Sequence, residues 1–575
     1  MFGTPPLQEQ IITYIGNKRR LLPFIHEGVV EILREEGAWD AKAAAETGGA
    51  GATKPLRFLD AFAGSGVVSR MARMMGLQVH ANDLEVYAGP LIRPYLEVDP
   101  GEVNGLFAPV VDRLRLPRGG EHYAAVLTYL NSLREPASSE NLYFARQYAP
   151  ARTEEADPDR ERLFYTRENA LRIDAILEAI NGGAFGVADS GPGSASRRTT
   201  PREIILASLL YEMSVHVNTS GVMKGYHRGW GGRGRDALMR ILADIELEPL
   251  PLINGPRGRV TTLPAETLFS RPGTEEPDIV YADPPYNMHQ YGSNYHLLTT
   301  AVLGDRYDPG PVIRGSRAGI RRDHNRSAFC RSQRDPATGK RECEGAFERF
   351  LKEIRARYLL VSYNTDGLIG PEEMLRLLSE NGKHRVSARV QGHVKFKGGK
   401  NTQTARRTRE VLYRVDIDRG GTRTQIDGVL ALLSREERMG KLLDSYVDPQ
   451  KLPWRGRPNG RQGVIYYGED GTPLLELGKD FRLREIYASG AAPGVLASIE
   501  GARVEKLELM DRYLAEGMVD EAIHLLRSFK IRKYRKELLR HAKAIRKVAN
   551  PEQRSRLEKL LESYASSEST RARKS

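Results

Sequence analysis

Apolar and polar positions alternate along this chain in two rhythms. Short unbroken apolar runs bounded by turn residues read as buried strands of a parallel sheet. They are Leu56–Ala61 (LRFLDA), Ile279–Ala282 (IVYA) and Tyr358–Tyr363 (YLLVSY). A further strand is predicted over Gln78–Asp83 (QVHAND), separated from the first by the helical stretch VVSRMARMMG. Strand, helix and strand in that order make the building block of a doubly wound sheet. The 3.6-residue rhythm is clearest in TRENALRIDAILEAI (166–180), within a stretch of about 100–180 that reads as mainly helical. Near the C-terminus, 464–478 (VIYYGEDGTPLLELG) predicts a hairpin, and 502–565 is helical and strongly charged. There RVEKLELMDRYLAEGMVDEAIHLLRSFKIRKYRKELL reads as one amphipathic helix, with Leu507, Met510, Leu514 and Met518 on its apolar face. Small-residue and Gly/Ser-rich stretches at 41–54 and 181–200 read as loops, and 416–425 (DIDRGGTRTQ) as a linker.

Composition changes this picture in three ways. The 575 residues are 40% hydrophobic, enough for a full core, and the length prior of about 150 residues per domain allows several units. The net charge of +13 favours an anionic partner, of which nucleic acid is the commonest. Two cysteines, Cys330 and Cys343, are too few and too far apart for a disulfide framework or a CxxC site. The first ten residues show no basic and apolar leader, and no apolar run reaches the ~18 residues that span a bilayer. The reading is therefore a cytoplasmic protein with reduced thiols and no membrane partner.

Three stretches carry chemistry. In FLDAFAGSGVVS (58–69) a strand enters Gly64-Ser65-Gly66 and then a helix, a turn that lets backbone approach a ligand and offers free N–H groups to it. Asp83 ends the next strand, where an acid can accept both hydroxyls of a ribose. A nucleoside-containing cofactor follows, either a dinucleotide or S-adenosylmethionine; the third glycine of the dinucleotide fingerprint is missing. In TYIGNKRRLLPFI (13–25), Gly16 permits a turn, Lys18 can meet a carboxylate, and Leu21, Leu22 and Ile25 suit a helix packed on the sheet.

The third stretch is DPPY, Asp283 to Tyr286, which stops a buried strand at the carboxyl end of the sheet. Pro284 and Pro285 have restricted φ and hold their carbonyls in set directions. The group suits a planar base with an exocyclic amine. One amine hydrogen can go to the Asp283 carboxylate and the other to the Pro284 carbonyl, while the ring stacks on Tyr286 for about 1–3 kcal/mol. Two acceptors aimed at an aromatic amine favour its pyramidal form, in which the lone pair can attack.

YIGNK, DAFAGSG, ND and DPPY, in that order, resemble the Dam-type, or alpha-group, adenine-specific DNA methyltransferases. LFYTRENALRIDAI (163–176), NTSGVMKGYHRGWGG (218–232), DPPYNMHQYGSNYHLLTT (283–300) and YLLVSYNTDGLI (358–369) resemble the subgroup of restriction-system modification enzymes. The resemblance spans roughly residues 10–415. It implies a doubly wound, Rossmann-like S-adenosylmethionine-dependent methyltransferase sheet with helical insertions. A catalytic domain is expected over 1–417, with target recognition in about 95–260, and a mixed, mainly helical accessory region over 418–575. Tyr14, Gly16 and Lys18 would contact the methionine end of S-adenosylmethionine, Asp60, Gly64, Ser65 and Gly66 would form the cofactor loop, and Asp83 would hold the ribose. VTTLPAETLF (260–269) would frame the cofactor adenine, with Glu266 standing where the family usually has Asp. Asp283, Pro284, Pro285 and Tyr286 would take the flipped target base, with Asn287 and Tyr291 beside it.

His289 and His296, seven apart with no third ligand, do not make a metal site, and no metal is expected. Double-stranded DNA would be the partner, held by phosphate contacts that offset the cost of flipping a base. The Arg-rich run 312–341 (Arg314, Arg317, Arg321, Arg322, Arg326, Arg331, Arg334, Lys340, Arg341) is the first candidate for such contacts, and 391–409 the second. A restriction or defence-system subunit is a further expected partner. The alternatives are transfer to cytosine's 4-amino group or to RNA, and a non-catalytic DNA-binding subunit.

Overall fold

The computed structural model describes residues 1–40, 54–117, 119–185, 199–232, 234–235, 237–270, 275–312, 317–380, 383–394, 407–459, 463–487, 489–527, 529 and 531–572. The loops expected at 41–54 and 181–200, Arg314, and most of 391–409 lie largely or wholly outside these residues. The chain divides into two compact units, Met1–Leu430 and Ala431–Ser575.

The first unit is a mixed α/β structure around seven strands: β1 (Arg57–Asp60), β2 (Gln78–Asp83), β3 (Arg259–Thr262), β4 (Ile279–Ala282), β5 (Tyr358–Asn364), β6 (Arg385–Val394) and β7 (Arg407–Asp416). Their order across the sheet is β3-β2-β1-β4-β5-β7-β6. The first five are parallel, and β7 runs antiparallel to both β5 and β6. All four predicted strands form. β4 and β5 are buried along their whole length, which is why they read as unbroken apolar runs. β2 and β3 lie on one side of β1 while β4 and β5 lie on the other, so the winding reverses between β1 and β4. Ligand crevices of open α/β sheets form at such a reversal, outside the carboxyl ends of the strands. Asp60 ends β1 and Asp283 directly follows β4, one on each side of that point.

Helix Val67–Met74 connects β1 to β2, and helix Leu22–Glu35 buries Leu22 and Ile25 together with the preceding Leu21. The insertion between β2 and β3 holds the helix Arg167–Asn181, capped by Thr166, whose side chain accepts the Asn169 N–H. It also holds helix Pro201–His216, with a Thr200/Glu203 capping box. The mainly helical reading of 100–180 fails over 133–166, where only two single turns form, Ser139–Asn141 and Phe144–Gln147. Pro136, Pro150 and Pro158 interrupt that stretch. It is fixed instead by buried polar side chains. Asp174 accepts the N–H groups of Phe144 and Ala145 at 2.8 and 2.9 Å.

The second unit has a four-stranded antiparallel sheet of β8 (Arg455–Asn459), β9 (Gly463–Tyr467), β10 (Pro473–Gly478) and β11 (Leu483–Ile486), in the order β11-β10-β9-β8. The predicted hairpin is β9–β10. The single long helix predicted after residue 502 breaks into Lys506–Ala515, Val519–Leu526 and Ile531–Val548. Gly517, at φ +70°, ends the first of these in the left-handed conformation that glycine tolerates. The predicted linker also ends early, since helix Arg423–Leu442 begins inside it. Cys330 and Cys343 are buried free thiols. Among the described residues no helix is long and apolar enough to cross a membrane.

Candidate active site

At the reversal point lies a cavity walled by six chain segments: 14–18, the β1 end with its following loop, the β2 end, 263–266 after β3, the stretch after β4, and 326–329. Tyr14, Gly16, Lys18, Asp60, Gly64, Ser65, Asp83, Glu266, Asp283, Pro284, Pro285 and Tyr286 all line it. Gly66 does not. It sits at φ +76° as the cap of helix Val67–Met74, with Ile92 so close that an added Cβ would come within 2.7 Å of its Cγ1. Tyr291 lines the cavity, whereas the Asn287 side chain turns to accept the His289 N–H at 2.9 Å. His296 is buried, its Nε2 2.9 Å from the Met223 carbonyl oxygen, and His289 is exposed.

Each wall is held by identifiable bonds. Asn82, buried, donates to the carbonyls of Ala61 and Leu263 at 3.2 and 3.0 Å and accepts the Leu263 N–H at 3.2 Å. It thereby ties the loop after β1 to the segment carrying Glu266. Asp83 accepts the Gly64 N–H at 2.7 Å through one oxygen and the Glu85 N–H at 2.8 Å through the other. Carboxylate oxygens accept more than one bond, so Asp83 keeps acceptor capacity toward the cavity. Gly64 has φ +54°, and a Cβ there would lie 2.8 Å from the Tyr14 ring. That ring cannot withdraw, because it is stacked against Tyr291 at 5.1 Å and Tyr295 at 5.0 Å. Tyr295 Oη accepts the Ile15 N–H at 2.8 Å, and Tyr291 Oη donates to the Ile15 carbonyl at 3.2 Å.

Lys18 does meet a carboxylate, and in fact two. Its Nζ lies 2.8 Å from Asp283 Oδ1 and 3.1 Å from Glu410 Oε1 on β7, with Lys18 only 4% and Glu410 only 2% exposed. The same Nζ stands 5.3 Å from the centre of the Tyr286 ring. Glu410 is anchored from β5 by Ser362 Oγ at 2.8 Å and Asn364 Nδ2 at 3.4 Å. Burial alone would lower the Lys18 pKa, but the two carboxylates hold it well above its ordinary value. Burial raises Asp283 to about 6, against the pull of Lys18, with the Glu410 charge adding to the rise. Glu410 itself is lowered, because Lys18 and the hydrogen bonds outweigh burial.

Asp60, Asp83 and Glu85 are raised as well. Burial takes Asp60 to about 7 although its Oδ2 accepts a 2.6 Å bond from Ser69 Oγ. Burial and the neighbouring Asp83 take Glu85 to about 8, and burial raises Asp83. Neither Glu85 nor Glu410 was singled out from the sequence. Glu85 lies two residues past Asp83. Glu410 is an acid directly before the buried apolar run VLY, and that run is the signal the sequence offered.

Several members of the Arg-rich run are already engaged within the protein. Arg321, 2% exposed, is held by both oxygens of Asp305 at 2.7 and 2.6 Å and by Asp323. Arg331 pairs with Glu342, Lys340 with Glu348, Arg334 bonds the Gly339 carbonyl, and Arg341 the Leu368 carbonyl. Arg317 and Arg228 share the Asp159 carboxylate. Arg322 and Arg326 are exposed; Arg326 lines the cavity, and Arg322 lines an open groove shared with Lys224, Tyr226, Arg228, Tyr307 and Arg317.

Residues 14–308 match the family of D12 class N6 adenine-specific DNA methyltransferases. The chain is 28% identical over 389 residues to type II methyltransferase M.CviAII of Paramecium bursaria Chlorella virus 1, covering 67% of this chain and 93% of that protein. It is 26% identical over 328 residues to type II methyltransferase M.NlaIII of Neisseria lactamica, covering 57% and 80%. It is 27% identical over 371 residues to type II methyltransferase M.FokI of Planomicrobium okeanokoites, covering 64% of this chain and 47% of that protein. No solved structure matches.

Proposed function

We propose the following division of labour within a chain that belongs to the D12 class of N6 adenine-specific DNA methyltransferases. The reaction moves a methyl group from S-adenosylmethionine to the 6-amino group of adenine in DNA. Family membership sets aside the cytosine, RNA and non-catalytic alternatives. The cofactor supplies an electrophilic methyl on a sulfonium; the amine nitrogen forms the new bond, the sulfur keeps the electron pair, and the nitrogen then loses one proton.

The sheet, with its reversal between β1 and β4, is proposed as the doubly wound methyltransferase sheet, and residues 1–417 as the catalytic portion, with 418–575 accessory. Asp83 would hold the cofactor ribose, the Gly64-Ser65 loop would pass beside it, and Glu266 would face its adenine. Tyr14 and Gly16 would close over the methionine end. The acidic donor set and the glycine cradle under Tyr14 suit this cofactor. Lys18 is assigned a different part from the one its motif suggested. Its ammonium is engaged by Asp283 and Glu410, so it acts as counter-ion to the target-base pocket and is not free to hold the cofactor's carboxylate.

Asp283 and the Pro284 carbonyl would accept the two hydrogens of the flipped adenine's amine, and Tyr286 would stack on its ring. Lys224, Arg228, Arg317 and Arg322 would meet phosphates along the open groove. The relatives named as type II methyltransferases support a place in a restriction-modification system, protecting DNA from a cognate nuclease.

The observation that carries this reading is the meeting of the cofactor-type acids and the DPPY group in one cavity. The test is incubation with unmethylated duplex DNA and labelled S-adenosylmethionine, followed by digestion and mass spectrometry of the nucleosides. N6-methyldeoxyadenosine should carry the label. Asp283→Ala should abolish transfer while cofactor binding persists. Label in 4-methylcytosine, or turnover surviving in Asp283→Ala, would overturn the assignment.

A further inference from the structure

We infer that Glu410 is a positioning residue for methyl transfer: from β7 it shares the Lys18 ammonium with Asp283, so that Asp283 stays basic enough to accept a hydrogen from the target amine. This rests on the role proposed above for Asp283.

The geometry is a three-body cluster. One ammonium has three N–H donors and no acceptor. Lys18 aims at Asp283 at 2.8 Å and at Glu410 at 3.1 Å, and its third near contact is the Gly16 carbonyl at 3.5 Å. Glu410 cannot swing away, because Ser362 and Asn364 hold it from the neighbouring strand, where Asn364 is its register partner. The groups around Asp283 come from every adjoining element: Lys18 from the N-terminal segment, Asp60 from β1, Tyr281 from β4, Tyr286 and Tyr291 after it, and Glu410 from β7. Lys18 is the one cation among them.

A structural ion pair needs one carboxylate. Burying a second beside it costs several kcal/mol unless its hydrogen bonds and the shared charge repay the desolvation. The sequence nevertheless keeps Glu410 at 2% exposure and supplies it with two dedicated donors. The consequence falls on Asp283. In a one-to-one pair the ammonium would quench the carboxylate and make it a poor acceptor. Divided between two carboxylates, it leaves Asp283 nearer the basicity at which accepting a hydrogen bond is productive. Burial and the Glu410 charge together keep Asp283 raised in spite of Lys18.

The test is Glu410→Gln, which keeps shape and hydrogen bonding but removes the charge. Its pH profile of kcat/KM for DNA should have its rising limb displaced to lower pH by about one to two units, as a carboxylate within about 6 Å demands. Plateau kcat should fall about tenfold or more, with KM for S-adenosylmethionine within about twofold. Glu410→Asp should restore part of the plateau, and Ser362→Ala, which only loosens Glu410, should shift the limb the same way by less. A purely structural Glu410 would lower the melting temperature and leave the limb in place. An unmoved limb, or one displaced to higher pH, overturns the inference, and Ser362→Ala reads the same limb should Glu410→Gln not fold. Wild-type enzyme that fails to methylate adenine would instead overturn the parent reading.

Discussion

Replacing Lys18 by Gln removes the only charge that Asp283 and Glu410 share. Their oxygens lie 2.8 and 3.1 Å from the same Nζ, so the two carboxylates are no more than about 6 Å apart. The repulsion between them is already part of the value near 6 that Asp283 holds; what the variant loses is the opposing attraction of the ammonium, which at an effective dielectric of about 20 and about 5 Å between charge centres is about 3 kcal/mol, or about two pKa units. Asp283, now held near 6, should then ionise near pH 8. Activity that needs its carboxylate would fall about tenfold at pH 7 and return by about pH 9. The assay is kcat/KM for duplex DNA from pH 5.5 to 9.5 with labelled S-adenosylmethionine. Stability should move the opposite way. A carboxyl whose folded pKa is raised leaves the folded state holding more protons than the unfolded one, so the variant should lose stability as pH rises. A rising limb that stays near pH 6, or a loss of activity equal at every pH, would refute the reasoning.

Two further changes test other walls. Gly64→Ala forces a Cβ to within 2.8 Å of a Tyr14 ring that is stacked against Tyr291 and Tyr295, in a backbone conformation costing about 1–2 kcal/mol for an L side chain. S-adenosylmethionine affinity should drop by about tenfold or more by titration calorimetry; unchanged affinity would free the loop from its cofactor role. Lys224→Gln and Arg322→Gln should each weaken DNA binding similarly for specific and unrelated sequences and each reduce the slope of log K against log salt by about one. Unchanged slopes would remove the groove from the DNA path.

The parts of this structure legible in the sequence are those whose neighbours are near in kind. β1, β4 and β5 show as apolar runs because both faces of the central sheet are covered, and β2 is legible from its place after the helix that follows β1. β3 escaped notice because it is four residues long and only Val260 is buried. β6 and β7 carry arginines every few positions and pair antiparallel, with β6 at the sheet's edge, and the buried run Val411–Tyr413 of β7 is short and flanked by Glu410 and Arg414. Motif residues from 14 to 286 converge on one cavity as the motif order suggested, with Gly66 serving the helix start instead of the wall. What could not be read was partnership. Nothing local to residue 18 says that its ammonium is met by residue 410, since that pair exists only once β7 has inserted between β5 and β6. For the same reason an arginine-rich run looked free on paper, although Arg321 is a buried clamp between Asp305 and Asp323.

The acids of the cavity also imply how donor and product are told apart. Asp60 is raised to about 7, Glu85 to about 8 and Asp283 to about 6, burial being the largest cause in each, and Lys18 is already committed to Asp283 and Glu410. Among the residues that line the cavity the acids outnumber the cations, which are Lys18 and Arg326. S-adenosylmethionine brings a net positive charge near neutrality, and the demethylated product brings none. A cation favours the ionised form of each nearby acid and pulls its pKa down, so binding must release protons wherever the free site still holds them. Affinity for the methyl donor should therefore rise from pH 6 to pH 8, and the product's should rise less. The preference for donor over product should grow by about tenfold over that range, the equivalent of one pKa unit of coupling. Calorimetry in buffers of different ionisation enthalpy would measure the released protons directly. Donor affinity that is flat with pH, or that parallels the product's, would show that these carboxylates do not sense the sulfonium. If the rise is found, the charge that draws the donor in disappears with the methyl group, and the carboxylates that favoured binding no longer hold what remains.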